Sequence, residues 1–493
     1  MKNVRFFAIN KMSKVVLLLT LTLLLTMSFT AKAYAATNFT FTHDVWGVPI
    51  PSPDAYRVTA FILGTDLGVG HFSTPQDLFV WNNLLYVVDT GNNRIVVVEI
   101  HDDGTHTVYG VVDHAIMDGA RTTFNGPHGI FVASWGDRWI ADTYNHRILH
   151  VDANWHVIRE IGHPEGSLLD EELDFLPRKL AVDFTGRMFL QASHVNRGLM
   201  EFDSNGVFVG YMGASPVSVS FIDQFWRWIA TQEQRERMLL HVPTEYNNLT
   251  IDRENFIFVT NASADGEPVR RLNAMGADIM IRNGLTYPIG DLFYNEEGVR
   301  PGPSRFIDVV ALPNDTFVTF DVTRGRLFAY DFQGNLLYAF GGVGNREGHF
   351  LLPSALVNKE YTLFALDAQT GAITRFDLTE YGRLINEALA YYRRGNYEAS
   401  AEAWQEVLRL NGNFGMAYVG IARAYLRQGY YREAMRYFRI QHDRIGYGRA
   451  FSFYRRQWME ENFWIFATII GMLMIVPPVV RYVLRIRREI REA

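Results

Sequence analysis

The chain of 493 residues carries 47 lysines and arginines against 53 aspartates and glutamates, a formal charge of -6, with 14% aromatic and only 20% charged residues. This composition suits a β-rich globular body and excludes a chain that stays disordered. The body holds no basic block, which argues against nucleic acid as a partner. Zero cysteines exclude disulfides and a lipidated thiol.

At the N-terminus, Lys2, Arg5, Lys11 and Lys14 precede an apolar run from Val15 to Phe29 and the small-residue sequence Ala33-Tyr34-Ala35. That order predicts a signal peptide over residues 1–35, with an uncleaved signal anchor as the alternative. Residues 36–55 come next as a proline-containing lead-in.

The sequence VVDTGNNRI, from Val87, has the wording of an aspartic protease loop, an apolar strand delivering Asp-Thr-Gly. Relatives of it recur down the chain: IADTYNHRI around Asp142, TFDVTRGRL around Asp321 and FALDAQTGAI around Asp367, with degenerate copies from Leu176 and Val242. Each copy reads as an apolar strand, a polar turn, a second strand, another turn and a third strand. Pro75, Pro127, Pro177, Pro243 and Pro353 open five copies and Arg305 stands in for the sixth. A period of about 50 residues with several strands per unit is a propeller signature. Residues Tyr56 to Leu63 resemble the outer strand of a copy without its inner strands, so they are expected to close the ring on the last blade.

The phrases P-x-G-I and V-x-D-T-x-N-x-R-I resemble the NHL repeat, over about residues 56–380. The resemblance implies a six-bladed propeller. Between the third and fourth copies, residues 220–241 read as an inserted amphipathic helix, with Phe221, Phe225, Trp226, Ile229 and Met238 on one side.

After Tyr381 the pattern turns helical. Ala388, Tyr391, Gly395, Tyr397 and Trp404 recur 34 residues later as Ala422, Tyr425, Gly429, Tyr431 and Phe438. That period resembles the tetratricopeptide repeat, so residues 381–462 read as two repeats plus a capping helix from Tyr447. An apolar run of 18 residues, Phe463 to Val480, precedes Arg481, Arg485, Arg487, Arg488 and Arg491. It is long enough for the ~30 Å hydrocarbon core and has the charge flank of a span whose tail stays inside. The expected organisation is thus a transmembrane helix over 463–484, a basic cytoplasmic tail over 485–493, and exported domains ahead of them.

Asp89, Asp142, Asp321 and Asp367 share one slot, and Arg94, Arg147 and Arg326 come five residues after three of them. Equivalent residues of different blades are spread around a ring and cannot converge as a catalytic pair. The expectation is structural: each carboxylate orders a turn and pairs with the returning arginine. Some NHL-like and gluconolactonase-like propellers are enzymes, and that resemblance implies zinc held by histidines or calcium held by Glu, Asn and Asp. The positions expected to face the axis here are Gln76, His128, Arg178, Thr244, Arg305 and Ser354. His128 is the one metal candidate among them, and two arginines would repel a cation. No cofactor is therefore expected, and the channel mouth is instead read as a site for an anionic ligand or a glycan. The sequence as a whole reads as a membrane-anchored extracytoplasmic scaffold, its helical repeats contacting a membrane protein or envelope complex. The alternative is a metal-dependent lactonase or lyase.

Overall fold

In the computed structural model, residues 40–101, 103–164, 174–214, 228, 245–261, 267–282, 284, 287–294 and 300–492 are described. The expected signal peptide, the helical insertion at 220–241 apart from Trp228, and Thr244 lie outside them. The described strands form a β-propeller, and a helical C-terminal region comes after it.

Six sheets succeed one another along the chain. The first runs from Asp77 to Val112, the second from Pro127 to Ile161 and the third from Pro177 to Met212. The fourth runs from Tyr246 to Leu272, the fifth from Phe306 to Val343 and the sixth from Pro353 to Leu378. Within each, consecutive strands pair antiparallel, so each copy of the repeat folds on itself. Five sheets have four or more strands and are complete blades, whereas the fourth has three strands. The repeats led to an expectation of six blades; five complete ones are observed. The fourth is one of the two degenerate copies, and among the described residues after Leu272 an isolated bridge between Leu272 and Asp278 stands where an outer strand would be.

Ring closure obeys the repeat pattern. Tyr56–Leu63 pairs antiparallel with Ala372–Leu378, Tyr56 opposite Leu378 and Leu63 opposite Ala372. The earliest propeller residues thus complete the last blade, so the ring opens only if this strand is peeled away. The lead-in is more than a lead-in: Phe41–His43 pairs with Pro49–Pro51 and docks Phe41 against Ala339 of the fifth sheet. A hairpin of His114–Met117 with Ala120–Thr123 is inserted between the first two sheets.

Five helices continue from the sixth sheet: α1 Glu380–Arg393, α2 Tyr397–Leu410, α3 Gly415–Gln428, α4 Tyr431–Ile440 and α5 Arg444–Glu461. Thr379 caps α1, its hydroxyl accepting the Gly382 N–H while donating to Asp54 O at 2.5 Å. A single apolar core runs across the junction, with Phe320, Phe340 and Phe376 of the propeller and Ile385, Trp404, Phe414 and Ile421 of the helices. Above it, Asn411 Nδ2 and the Ser52 hydroxyl both donate to the Tyr381 hydroxyl, at 3.0 and 3.2 Å. The helical region is therefore welded to the propeller rather than tethered to it. The last helix, α6 Phe463–Glu492, projects with none of its apolar window buried and a mean hydropathy of 2.2, long and apolar enough to cross a membrane.

Candidate functional site: the axial pocket

Strand pairing decides which residues face the axis. Pro127 stands opposite Asp142, Pro177 opposite Ala192, and Pro353 opposite Asp367. In the fourth and fifth sheets those same places are held by Tyr246, opposite Asn261, and Phe306, opposite Asp321. Strand pairing in these copies therefore begins at Tyr246 and Phe306, and Pro243 lies outside the described residues. The residues immediately after the openers form one ring, Gln76, His128, Arg178, Asn247, Ile307 and Ser354, and all six line a cavity of about 450 Å³. Gln76, His128, Arg178 and Ser354 were expected there. Arg305 is exposed off this lining and only its N–H engages Asp321, at 2.8 Å.

A bulge succeeds the opening residue in five of the six innermost strands, between Pro127 and Gly129 and at the equivalent places of the later sheets. Bulging breaks the two-residue alternation, so neighbours such as Arg178 and Lys179, or Asn247 and Asn248, both reach the cavity. The residues that come next on these strands, Asp77, Gly129, Lys179, Asn248, Asp308 and Ala355, form a second layer, of which Lys179 and Asn248 line the cavity. Two of its carboxylates staple sheets together. Asp77 accepts Leu78 N–H at 2.8 Å and Ile130 N–H of the second sheet at 3.0 Å. Asp308 repeats the arrangement with Val309 N–H and Leu356 N–H of the sixth sheet, both at 2.7 Å. Lys179 of the third sheet forms an ion pair with Asp77 of the first. Burial pushes both carboxyl groups up, with Lys179 offsetting part of the effect, and Asp308 reaches about 7.

Around the rim, the His128 Nδ1–H donates to Gly126 O at 2.8 Å, leaving Nε2 as an acceptor. Burial holds this imidazole below the usual histidine range, with Arg178 and Lys179 acting in the same direction. Gln191, only 6% exposed, is part of the lining, and its buried Oε1 has no hydrogen-bond partner. His194 and Glu245 complete the wall.

This donor set does not fit a divalent cation. Among the described residues no three His, Asp or Glu side chains converge. The Asp77 carboxylate already holds an ammonium, and Arg178 stands over the same space. What the pocket offers is cationic donors from Arg178 and Lys179, amides from Gln76, Asn247 and Asn248, and acceptors from His128 and Glu245.

The repeated aspartates lie outside the pocket, at the turns. Asp89 takes Ser73 N–H, Asn92 Nδ2 and Arg94 Nε, and Asp142 takes Asn125 N–H, Asn145 Nδ2 and Arg147 Nε. Asp367 orders its turn through Gln369 and Thr370 N–H groups. Asp321 accepts Arg305, Thr323 and Arg324 N–H groups, but Arg326 does not return to it. Arg326 instead pairs with Asp291 at 2.5 Å, because Arg324 and Asp291 bring a second carboxylate over this turn.

The fold and pocket define a β-propeller with a polar axial cavity and a fused helical region ending in one long apolar helix. No family model matches the chain, and no curated protein matches it. Among solved structures it is similar to a virginiamycin B lyase from Staphylococcus aureus, at 10% identity and a TM-score of 0.41, covering 66% of this chain and 100% of that one. A streptogramin B lyase structure is similar at 13% identity and 0.36, covering 61% and 78%. A putative gluconolactonase matches at 10% identity and 0.40, covering 69% and 98%. The propeller assignment rests on the strand pairing.

Proposed function

We propose that the protein is a membrane-anchored extracytoplasmic binding protein whose axial pocket takes an anionic or polyhydroxylated ligand such as an acidic glycan. The observation that carries this reading is the cavity ringed by Gln76, His128, Arg178, Asn247 and Ser354. Amide and guanidinium donors at fixed positions suit hydroxyl and carboxylate groups, and Arg178 supplies the charge. In this reading the three-stranded sheet is an incomplete sixth blade of an NHL-like propeller, and α1 to α5 are a short tetratricopeptide solenoid. The propeller and helices then stand outside the cell membrane, held by α6, with the arginines after Val480 on the cytoplasmic side. Residues 381–462, next to the bilayer, serve as the contact for a membrane protein such as a transporter or an envelope complex. The shared core supports this division, since a ligand held in the ring is presented on a platform rigidly joined to the helices.

The competing reading is a metal-dependent lactonase or lyase, and it draws on His128, His194 and Glu245 lining the same cavity. Metal analysis of the purified full chain separates the two. The binding reading expects zinc and calcium well below one ion per chain; a stoichiometric ion lost on His128→Ala or Glu245→Gln would overturn it in favour of the enzyme.

A further inference from the structure

Helix α5 is 18 residues long, yet Ala450 is its one buried residue. It leans on the rest of the helical region along one side only. There the Tyr447 hydroxyl accepts from Arg439 at 3.0 Å, the Tyr454 hydroxyl accepts from Arg432 at 3.0 Å, and Phe453 stacks on Tyr431. At 100° per residue the opposite side is the stripe of Ile445, Ser452, Arg455 and Met459. Phe451 and Trp458 flank that stripe on one edge, and Arg449 and Arg456 flank it on the other. Ile445 is 79% exposed, and Phe451, Trp458 and Met459 are each more than two-fifths exposed. A helix that turns large aromatics and four arginines outward, Arg444, Arg449, Arg455 and Arg456, the last paired with Glu460 at 2.9 Å, has a face that water alone does not explain.

The junction with α6 indicates what covers this face. Only Asn462 separates α5 from α6, and Trp458 meets Phe466 of α6 edge to face at 5.8 Å. The exposed face of α5 therefore begins where α6 enters the hydrocarbon. Its mixture is that of an interfacial helix, with aromatic and aliphatic groups for the headgroup boundary and guanidinium groups for phosphate.

The geometry points to α5 as a membrane-surface helix that lies in the outer headgroup layer, its Arg449, Arg455 and Arg456 binding anionic phospholipid and its Phe451, Trp458 and Met459 inserting beside it. This rests on the reading of α6 as the anchor. Its consequence is that the propeller is held at a set orientation to the bilayer instead of swinging on a single helix.

The absence of native cysteine makes the test direct. The full chain carrying Ser452→Cys is spin-labelled and reconstituted into phosphatidylcholine vesicles with and without phosphatidylglycerol. Companion chains carry Met472→Cys in α6 and Ser204→Cys on an exposed propeller turn. Access of oxygen and of a water-soluble nickel reagent to each label is then measured. With phosphatidylglycerol, the label at position 452 is expected to lose nickel access relative to position 204 and to gain oxygen access. An arginine near an anionic surface contributes about fivefold to partition, so Arg449→Gln, Arg455→Gln and Arg456→Gln together should shift the docking equilibrium on the order of 100-fold towards water. If position 452 stays as open to nickel as position 204 while position 472 is lipid-buried, the surface helix is wrong and the anchor stands. If position 472 is itself open to nickel, the anchor reading fails and this inference with it. A label shielded from both reagents in both lipids would mean that protein covers α5, which also overturns it.

Discussion

The Asp89 carboxylate holds Arg94 Nε at 2.7 Å on one oxygen and the Ser73 N–H at 2.7 Å on the other, with the carboxylate side chain fully enclosed. An aspartate so engaged has no face left for a substrate. It fastens the loop before the first sheet to the turn within it. Asp89→Asn keeps the shape but loses the charge that Arg94 and Asn92 address. A loss of about 1.5–3 kcal/mol in unfolding free energy is expected, with ligand binding by the folded fraction unchanged. Denaturant melts alongside binding assays check it, and a stable but inactive variant would restore a catalytic role for Asp89.

Gly129 sets how closely two blades approach. A Cβ there would lie 2.1 Å from the Arg178 carbonyl oxygen, which is backbone and cannot step aside without parting the second and third sheets. Gly129→Ala should cost about 1–3 kcal/mol or more and push the second and third sheets apart. Gly110→Ala, with nothing within 4 Å of the added carbon, is the control and should be close to neutral. Thermal melts of the two variants, compared with the native chain, give the answer.

Asp308 makes stability depend on pH in an unusual direction. Its folded carboxyl is raised by burial to about 7 from an ordinary value of 3.8, so between these values the folded state binds the proton and the unfolded state does not. Stability from this group is therefore full below pH 4 and falls as pH rises towards 7, at up to ~1.4 kcal/mol per unit. Asp308→Asn should flatten that slope even if it lowers stability overall. Urea melts from pH 4.5 to 7.5 measure it, and an unchanged slope would show that Asp308 is ionised throughout.

Arg423 of α3 lies 3.8 Å from the buried Asp331 carboxylate, at the seam between propeller and helices. Burial raises the Asp331 carboxyl and Arg423 opposes it. Arg423→Ala should leave this carboxylate without its cation and weaken the seam by about 1–3 kcal/mol. Limited proteolysis is expected to cut between the sixth sheet and α1 faster in the variant than in the native chain. Equal rates would mean that the apolar core alone holds the helices in place.

The blade pattern was legible because the turn aspartates and the opening prolines repeat where the backbone needs them. Pro75, Pro127, Pro177 and Pro353 pointed to Gln76, His128, Arg178 and Ser354, which line the cavity, whereas Pro243 and Thr244 lie outside the described residues and Arg305 stands one residue before Phe306, where strand pairing begins. In the second layer, Lys179 and Asp308 come after a bulge, and the alternation of a regular strand does not anticipate two successive inward side chains. Phe41–His43 and Pro49–Pro51 are three residues each and contain two prolines, too short and too broken to read as strands. The Arg326 to Asp291 pair joins residues 35 apart in sequence through an irregular loop, and no local pattern could give it.

The most direct test of the central claim is binding of the full chain, purified in detergent, to an array of neutral and carboxylated oligosaccharides. The account predicts retention of carboxylated members, weakened about tenfold or more by Arg178→Ala, for the loss of one charge-assisted contact of about 1.5–3 kcal/mol. The melting temperature of that variant should stay at the native value, because Arg178 stands exposed at the pocket rim. An array to which the native chain does not bind, or to which native and Arg178→Ala chains bind alike, would contradict it.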